Sequence, residues 1–380
     1  MARILFLIDS LSFGGAERQF CLLQKYLSPN WERRVVSLGS GPYYQVLLEQ
    51  KVSVSVYKRR SRFDLLPVWQ LCSEILRYKP DIVQSWGGLC SAIAAPICKG
   101  LRIPFIDGSI RLGGASRHQQ WRRRLTFMLS DYVIANSIAG LTANRIPKEK
   151  GSVIYNAMDP DRLKSLELKT KETEKINTVI MTGRISPFKD FTTFFNAARR
   201  LNSREPTTWK FVAIGAGEEE DRQNFVRSVQ DLVDSGAVVL PHVGLEVLPY
   251  VQEANVGVLL SASGFNEGIS NSIMEYMVCH LPVICSDSGG NRELVLDGET
   301  GFVIPPENED AFIEKLLFLR KNPAISVAMG KAGSERVTRL CSIERMVADY
   351  EEIYYRLLRR RQNRSLENSQ LREENGRGFS

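Results

Sequence analysis

Residues 256–275 read VGVLLSASGFNEGISNSIME, and the reading of this stretch decides the fold. The apolar run 256–261 has strand length and is bounded by turn-forming residues, so it reads as a buried strand. SASGFNEGIS (261–270) is rich in Ser and Gly and reads as the loop that follows. Ser272-Ile-Met-Glu275 has the S-x-x-E spacing of a capping box, which predicts a helix capped at Ser272 and running through Met277 toward Cys279. On one helix, Glu267 and Glu275 would be separated by a turn of about 800°, leaving them about 80° apart and about 12 Å apart along the axis. One helix therefore does not aim both carboxylates at one small group. With Glu267 on the loop, it can fold back over the helix start, where free N–H groups and the positive dipole end favour an anion. Carboxylates accept from hydroxyls while N–H groups and cations hold phosphates, so the arrangement suits a sugar phosphate. Glu275 keeps a second reading, as a capping residue and nothing more.

The same strand–loop–helix unit recurs along the chain. Apolar runs at 3–8, 33–38, 52–57, 81–86, 103–107, 132–136 and 152–156 alternate with amphipathic or capped stretches such as 15–27 and 64–78. KSLELKTKETEKINT (164–178) is charged, threonine-rich and without a full helix or strand pattern, and reads as a linker. The rhythm then restarts with strands at 178–183, 210–215, 238–244, 256–261, 282–287 and 301–305. Two such runs imply an α/β fold of two doubly wound parallel sheets, with ligands beyond the carboxyl ends of the strands. Residues 359–380 are polar and almost without apolar side chains, and a disordered tail is predicted there.

Composition narrows the class. The 380 residues suffice for two cored domains, and 43% apolar with 24% charged residues is ordinary for a globular chain. Seven scattered cysteines, odd in number and without a C-x-x-C pair, argue for a reducing compartment and against a disulfide framework or a zinc site. A cytoplasmic location is expected: MARILFLIDS is too short in apolar residues for a signal peptide and reads as the first strand. The net charge of +7 is uneven, with 23 Lys/Arg against 12 Asp/Glu in residues 1–162 and 27 against 31 in the remainder. A basic first half suggests phosphates, an acidic membrane surface or nucleic acid as a partner, or simply a soluble surface.

Three more loops follow predicted strands. Gly14-Gly15, in DSLSFGGAERQ (9–19), sit where strand turns into helix and let backbone N–H groups approach an anion, or else serve only a tight turn. In Gly183-Arg184-Ile-Ser-Pro-Phe-Lys189-Asp190, Asp190 is a candidate N-cap, and Lys189 beside a helix start opposes the macrodipole. An anion between Arg184, Lys189 and that helix start resolves the conflict, and a diphosphate fits in charge and size. GAGEEE (215–220) and SDSGGNREL (286–294) repeat the glycine-turn pattern, with Gly289-Gly290 as further candidates for close backbone approach.

GGAERQ, GRISPFKD, the E-x(7)-E stretch, SDSGGNRELV and DGETGFVIPP, in that order and spacing, resemble the family 4 retaining glycosyltransferases of the GT-B fold. The resemblance covers roughly residues 3–355 and implies two Rossmann-like domains facing a cleft, an acceptor side over 1–165 and a nucleotide-sugar side over 176–340. It implies a helix over 341–358 that crosses back to the first domain. Carried over, Arg184 and Lys189 contact the donor diphosphate and Glu267 lies by the sugar; these three are the catalytic candidates. Gly183, Gly268, Ile269, Ser270 and Asn271 offer groups to sugar and phosphate, Glu275 accepts from the ribose, and Gly14 and Gly15 line the phosphate and acceptor side. The donor is expected to be a UDP- or GDP-sugar, with no other cofactor and no metal, and the acceptor a glycan or a lipid-linked glycan. Nucleic acid is not expected as a partner. Rival readings are another GT-B enzyme using the same cleft (epimerase, phosphorylase or sugar-phosphate synthase) or a non-catalytic nucleotide-sugar binder.

The chain departs from the family pattern in places. Where many members carry a histidine, it has DGSIR (107–111), so Asp107 or Arg111 is expected to fill that space; His118 lies further on. His280 stands where glycine commonly ends the helix, and Ser263 stands four residues before Glu267 where three is usual. Asp159-Pro-Asp161 matches a D-x-D metal motif but reads better as turn and cap. The stretch Arg117–Leu129 (RHQQWRRRLTFML) has two readings, a peripheral contact at the inner face of a membrane or a crossover helix with a solvated basic face.

Overall fold

The computed structural model describes residues 1–61, 63–110, 117–164, 176–204, 208–216, 219–241 and 246–377. The first sheet comprises β1 (Ala2–Ile8), β2 (Trp31–Ser37), β3 (Ser53–Val56), β4 (Ile82–Ser85), β5 (Phe105–Ile110), β6 (Tyr132–Ala135) and β7 (Gly151–Val153). The second comprises β8 (Thr178–Arg184), β9 (Lys210–Ala216), β10 (Val238–Val239), β11 (Val256–Leu259), β12 (Val283–Ser286) and β13 (Gly301–Ile304). Each apolar run predicted from the sequence carries one of these strands. Most of the predicted linker, residues 165–175, lies outside the described residues.

The described strands pair in parallel, in the orders β3-β2-β1-β4-β5-β6-β7 and β10-β9-β8-β11-β12-β13. This is the doubly wound arrangement, and each sheet reverses its strand order once, between β1 and β4 and between β8 and β11. Such reversals open a crevice at the carboxyl ends of the strands, because the flanking helices leave in opposite directions. The loops after β1, β8 and β11 therefore face the crevices.

The last helix, Ile343–Arg377, contributes Ile343, Met346, Tyr350, Ile353, Tyr354 and Leu357 to the core of the first sheet, beside Ile4, Phe6 and Phe20. Tyr354 donates to Gln84 Oε1 at 2.5 Å, and its ring stands edge-on to Trp31 at 5.4 Å. Its backbone stays helical through Arg377, across most of the stretch 359–380 for which a disordered tail was expected. The segment is polar but dominated by Arg, Gln, Leu and Glu, good helix formers, and lacks Pro and Gly until Gly376. Low apolar content excluded a core there, not a helix. No described helix is long and apolar enough to cross a membrane.

Candidate active site at the two strand reversals

The loops after β8 and β11 run side by side. Asp190 N donates to Leu260 O and Ala262 N to Phe188 O, each at 3.1 Å, and the Phe188 and Phe265 rings stack 4.7 Å apart. This pairing delivers Lys189 Nζ to Glu267 Oε1, which also accepts from Ser261 Oγ at 2.9 Å. Both side chains are largely buried, 15% and 8% exposed. Asp190 caps the helix Phe191–Arg204, its Oδ1 accepting from Thr193 N at 2.9 Å. Lys189 before that helix is thus offset by a carboxylate from the neighbouring loop.

The Glu267 loop rests on the turn after β12. Gly290 N donates to Glu267 O at 2.8 Å, and Glu267 N donates to Ser288 Oγ at 3.2 Å. Gly289 has φ +50°, and a Cβ there would lie 2.0 Å from Glu267 O. The close approach predicted at Gly289-Gly290 is therefore to the Glu267 loop. Gly289→Ala is expected to destabilise by about 1–3 kcal/mol from backbone strain alone and to push Glu267 off its position, lowering turnover. Thermal denaturation and steady-state kinetics check this; an unchanged melting midpoint refutes it.

The helix after Glu267 begins differently from the prediction. It spans Asn271–Val278 with Ser270 as N-cap, the Ser270 Oγ accepting from Ile273 N at 3.4 Å. Ser272, predicted as the cap, donates to Thr182 O at 3.0 Å, and Tyr276 OH accepts from Thr182 N at 2.6 Å. The S-x-x-E spacing points to Ser272 alone, since Ile273 stands three residues after Ser270, but here Ser272 is drawn off to the end of β8. Both backbone groups of Thr182 are thereby held just before Gly183 and Arg184.

Glu275 consequently does not cap. Its carboxylate, 3% exposed, accepts through Oε1 from Arg18 Nη1 at 2.5 Å and from Arg162 Nη1 at 3.0 Å. Arg162 grips Glu246 with Nε and Nη2 at 3.0 and 2.9 Å. Burial lowers the Arg18 pKa, but attraction to Glu275 and contact with Tyr43 outweigh it, so the guanidinium sits above its ordinary value. Arg162 is raised for the same reason: Glu246 and Glu275 overcome its burial. Neither arginine was assigned a role from the sequence. Arg18 was detectable as a cation in the first turn after Gly14-Gly15, but a partner 257 residues away has no local signal.

Asn271 ties this helix to the first sheet. Its Nδ2 donates to Gly15 O at 3.2 Å, and its Oδ1 accepts from Gln19 Nε2 at 3.2 Å and Asn156 Nδ2 at 2.9 Å. Arg184 Nη2 donates to Phe13 O. Between these loops lies a cavity of about 440 Å³. Gly14, Gly15, Gly183, Arg184, Lys189, Glu267, Gly268, Ile269, Ser270, Asn271 and Glu275 all line it, together with Arg18, Asn156 and Thr182.

The remaining sequence candidates fall elsewhere. Asp107 is fully buried in the first sheet and does not reach the cavity, while Arg111 and the His118 side chain lie outside the described residues. His280 adopts φ +58° just past the helix, the left-handed residue that commonly ends one. Ser261 holds Glu267; Ser263 Oγ donates instead to Glu307 Oε2 at 2.6 Å. Asp159 Oδ1 accepts from Asp161 N at 3.0 Å and Tyr26 OH at 2.9 Å, and Lys25 Nζ lies 2.7 Å from Asp161 Oδ2, so this pair forms a turn clamped by a lysine.

Burial raises the Asp107 carboxyl pKa against the donors Ser109, Ser91 and Thr126. A carboxyl raised in the folded state binds its proton more tightly there than in the unfolded chain. Stability therefore falls as pH rises from about 4 through the raised value, and the full penalty persists above it. Asp107→Asn is expected to flatten that slope and raise the melting midpoint near neutrality. Melting curves of both proteins across pH check it, and parallel curves refute it.

The model of the family described as Glycosyl transferases group 1 matches residues 176–322. EpsD of Bacillus subtilis, a glycosyltransferase by name, is 24% identical over 362 residues, covering 85% of this chain and 89% of its own. An α-1,4-N-acetyl-D-galactosaminyltransferase of Campylobacter jejuni, whose name specifies a glycan on diphospho-undecaprenol, is 25% identical, covering 83% and 88%. Among solved structures, HepE of Anabaena with UDP superposes with a TM-score of 0.78 at 19% identity, over 93% of this chain and 99% of that one. Sucrose-phosphate synthase of Thermosynechococcus elongatus superposes at 0.75 and 18% identity, over 94% and 99%. The two doubly wound sheets and these structural likenesses give the chain the GT-B fold, and the ordered motifs with the matching relatives support a glycosyltransferase of the family 4 type.

Proposed function

We propose that the chain transfers a sugar from a nucleotide-sugar donor, a UDP- or GDP-sugar, to a lipid-linked glycan, with retention at the anomeric carbon and without a divalent metal. The observation that carries this is the convergence of Arg184, Lys189 and Glu267 with the start of the helix Asn271–Val278 on one cavity at the two strand reversals. The HepE structures with UDP and UDP-glucose and the Campylobacter relative's diphospho-undecaprenol acceptor support the choice of donor and acceptor classes.

In this reading the donor diphosphate lies against Arg184, Lys189 and the N–H groups at the start of the helix. The bond from the anomeric carbon to the diphosphate breaks, putting negative charge on the leaving group and oxocarbenium-like charge on the sugar. The acceptor hydroxyl attacks on the same face, and its proton passes to the departing diphosphate, so no strong protein base is needed. Fixed cations beside the leaving group stabilise the charge that develops there, which is usually the greatest single source of rate acceleration. Glu267 accepts from sugar hydroxyls. Glu275, with Oε1 held by Arg18 and Arg162, presents Oε2 to the ribose. A basic helix Arg117–Leu129 at the inner face of a membrane would bring the enzyme to a lipid-linked acceptor.

Incubation with a panel of UDP-, GDP- and ADP-sugars in the presence of a chelator is expected to release nucleotide with one of them. An acceptor product that keeps the donor's anomeric configuration by NMR supports retention. Strict dependence on manganese, lost in Asp159→Ala, would refute the metal-free reading.

A further inference from the structure

Apart from Met1, the most exposed large apolar side chains of the described residues gather away from the cavity. Phe63, Leu65, Leu66 and Trp69 are 76%, 72%, 59% and 66% exposed, and Leu76 is 56% exposed. On the helix Leu66–Tyr78, steps of three and seven residues keep Leu66, Trp69 and Leu76 within an arc of about 80°. The helix Arg117–Leu129 carries a second stripe, Trp121, Leu125 and Met128, within about 60°.

Both stripes lie on one side of the first sheet. The crossovers after β3, β4 and β5 all run in the same direction along the strand order, and right-handed crossovers then place their helices on one face. Leu71 and Ile75 share a buried cluster there with Cys90, Ala94 and Phe105. The opposite face is covered by the helices Gly15–Tyr26 and Ile343–Arg377. Phe127 on the inner side of the helix Arg117–Leu129 is buried with Ile110, Val133 and Ala135, and Leu129 packs against the first cluster, so the exposed stripes look outward. The segment before Leu66 and the start of the helix at Arg117 follow the carboxyl ends of β3 and β5, the edge of the sheet that also carries the Gly14-Gly15 loop lining the cavity.

Charge decides among occupants. Residues 58–129 hold 13 Lys/Arg against 4 Asp/Glu, a net +9 that exceeds the +7 of the whole chain. Two of those four acids, Glu74 and Asp107, are buried. Lys58 and Arg60 precede the first stripe, and Arg122 and Arg124 flank Trp121. A second copy presenting the same surface would repel this one. Tryptophan, leucine and methionine bordered by lysine and arginine fit the headgroup boundary of a bilayer, with the cations on lipid phosphates.

We propose that this helical face docks on an anionic membrane surface, with residues 58–76 as its principal contact and the helix Arg117–Leu129 as the lesser one. The proposal deepens the lipid-linked acceptor reading and rests on it for its purpose, while its test is independent of turnover. The full chain is sedimented with vesicles of phosphatidylcholine, alone or mixed equally with phosphatidylglycerol. Binding is expected to the anionic vesicles only, to weaken with salt, and to drop about tenfold in Leu66→Ser/Trp69→Ser. Lys58→Glu/Arg60→Glu is expected to lower it as well, with the melting midpoint unchanged in both variants. No binding to anionic vesicles overturns the proposal. So does wild-type binding by the Leu66/Trp69 variant, including the case in which only Trp121→Ser/Met128→Ser loses it. A dimer in analytical ultracentrifugation that those serines abolish, without any change in vesicle binding, overturns it in favour of a second copy. Vesicle binding that persists in a protein showing no thermal shift with any nucleotide sugar supports the docking and sinks the donor reading.

Discussion

Lys189→Ala is expected to lower kcat by about 10²–10³-fold, the loss seen when one donor is taken from a site where negative charge develops. The paired loops hold Lys189, and its Nζ meets Glu267 inside the cavity. The substitution also strands the Glu267 carboxylate, 8% exposed, with Ser261 Oγ as its remaining donor among the described contacts. Leaving a buried acceptor underpaired costs about 1–3 kcal/mol, so some stability is lost with the activity. Combining it with Glu267→Gln separates the two effects. The double variant is expected to recover the melting midpoint but not turnover, because the amide needs no cation while the leaving diphosphate still does. Wild-type donor affinity and turnover in Lys189→Ala would remove the phosphate role from this loop.

Tyr354→Ala is expected to destabilise the protein by about 3–5 kcal/mol, a large part of an ordinary stability margin of about 5–15 kcal/mol. Tyr354 is fully buried, donates to Gln84 on β4, and stands edge-on to Trp31 and Phe6 on the first two strands. Its removal leaves a ring-sized cavity in the middle of the first sheet's core and an unpaired amide oxygen on Gln84. Urea unfolding followed by far-UV circular dichroism measures the loss, and a change below about 1 kcal/mol would mean the core collapses around the gap. Truncation before Ile343 removes six core residues together and is expected to leave the first sheet unable to fold, even though all its strands remain.

The strands were legible because each is a short apolar run between turn formers, a signal contained within about six residues. The eleven residues now lining one cavity were legible for a related reason. They sit at the carboxyl ends of β1, β8 and β11, in the loops that follow or in the first turns of the next helices, and a doubly wound order sends these segments to a common edge. Asp190 as a cap and His280 as a left-handed helix end were readable from single positions. The start of the helix Asn271–Val278 was misplaced by two residues because the local pattern favours Ser272, which alone has a glutamate three residues on. The choice fell to Thr182, which lies 90 residues away and accepts from Ser272.

By itself, then, the sequence determined the alternation of strand and helix, the division into two sheets, and which loops bear the cations, glycines and glutamates. Those are consequences of hydrophobic period and turn chemistry, which act between near neighbours. Only the tertiary structure decided that Glu275 answers to Arg18 and Arg162 and that Lys189 meets Glu267. The physical reason is that a charge or ring is satisfied by whichever complementary group the packed backbone brings within reach. Here those partners are separated by 78 to 257 residues of chain, as in Lys189–Glu267 and Arg18–Glu275, and nothing local to either residue records them.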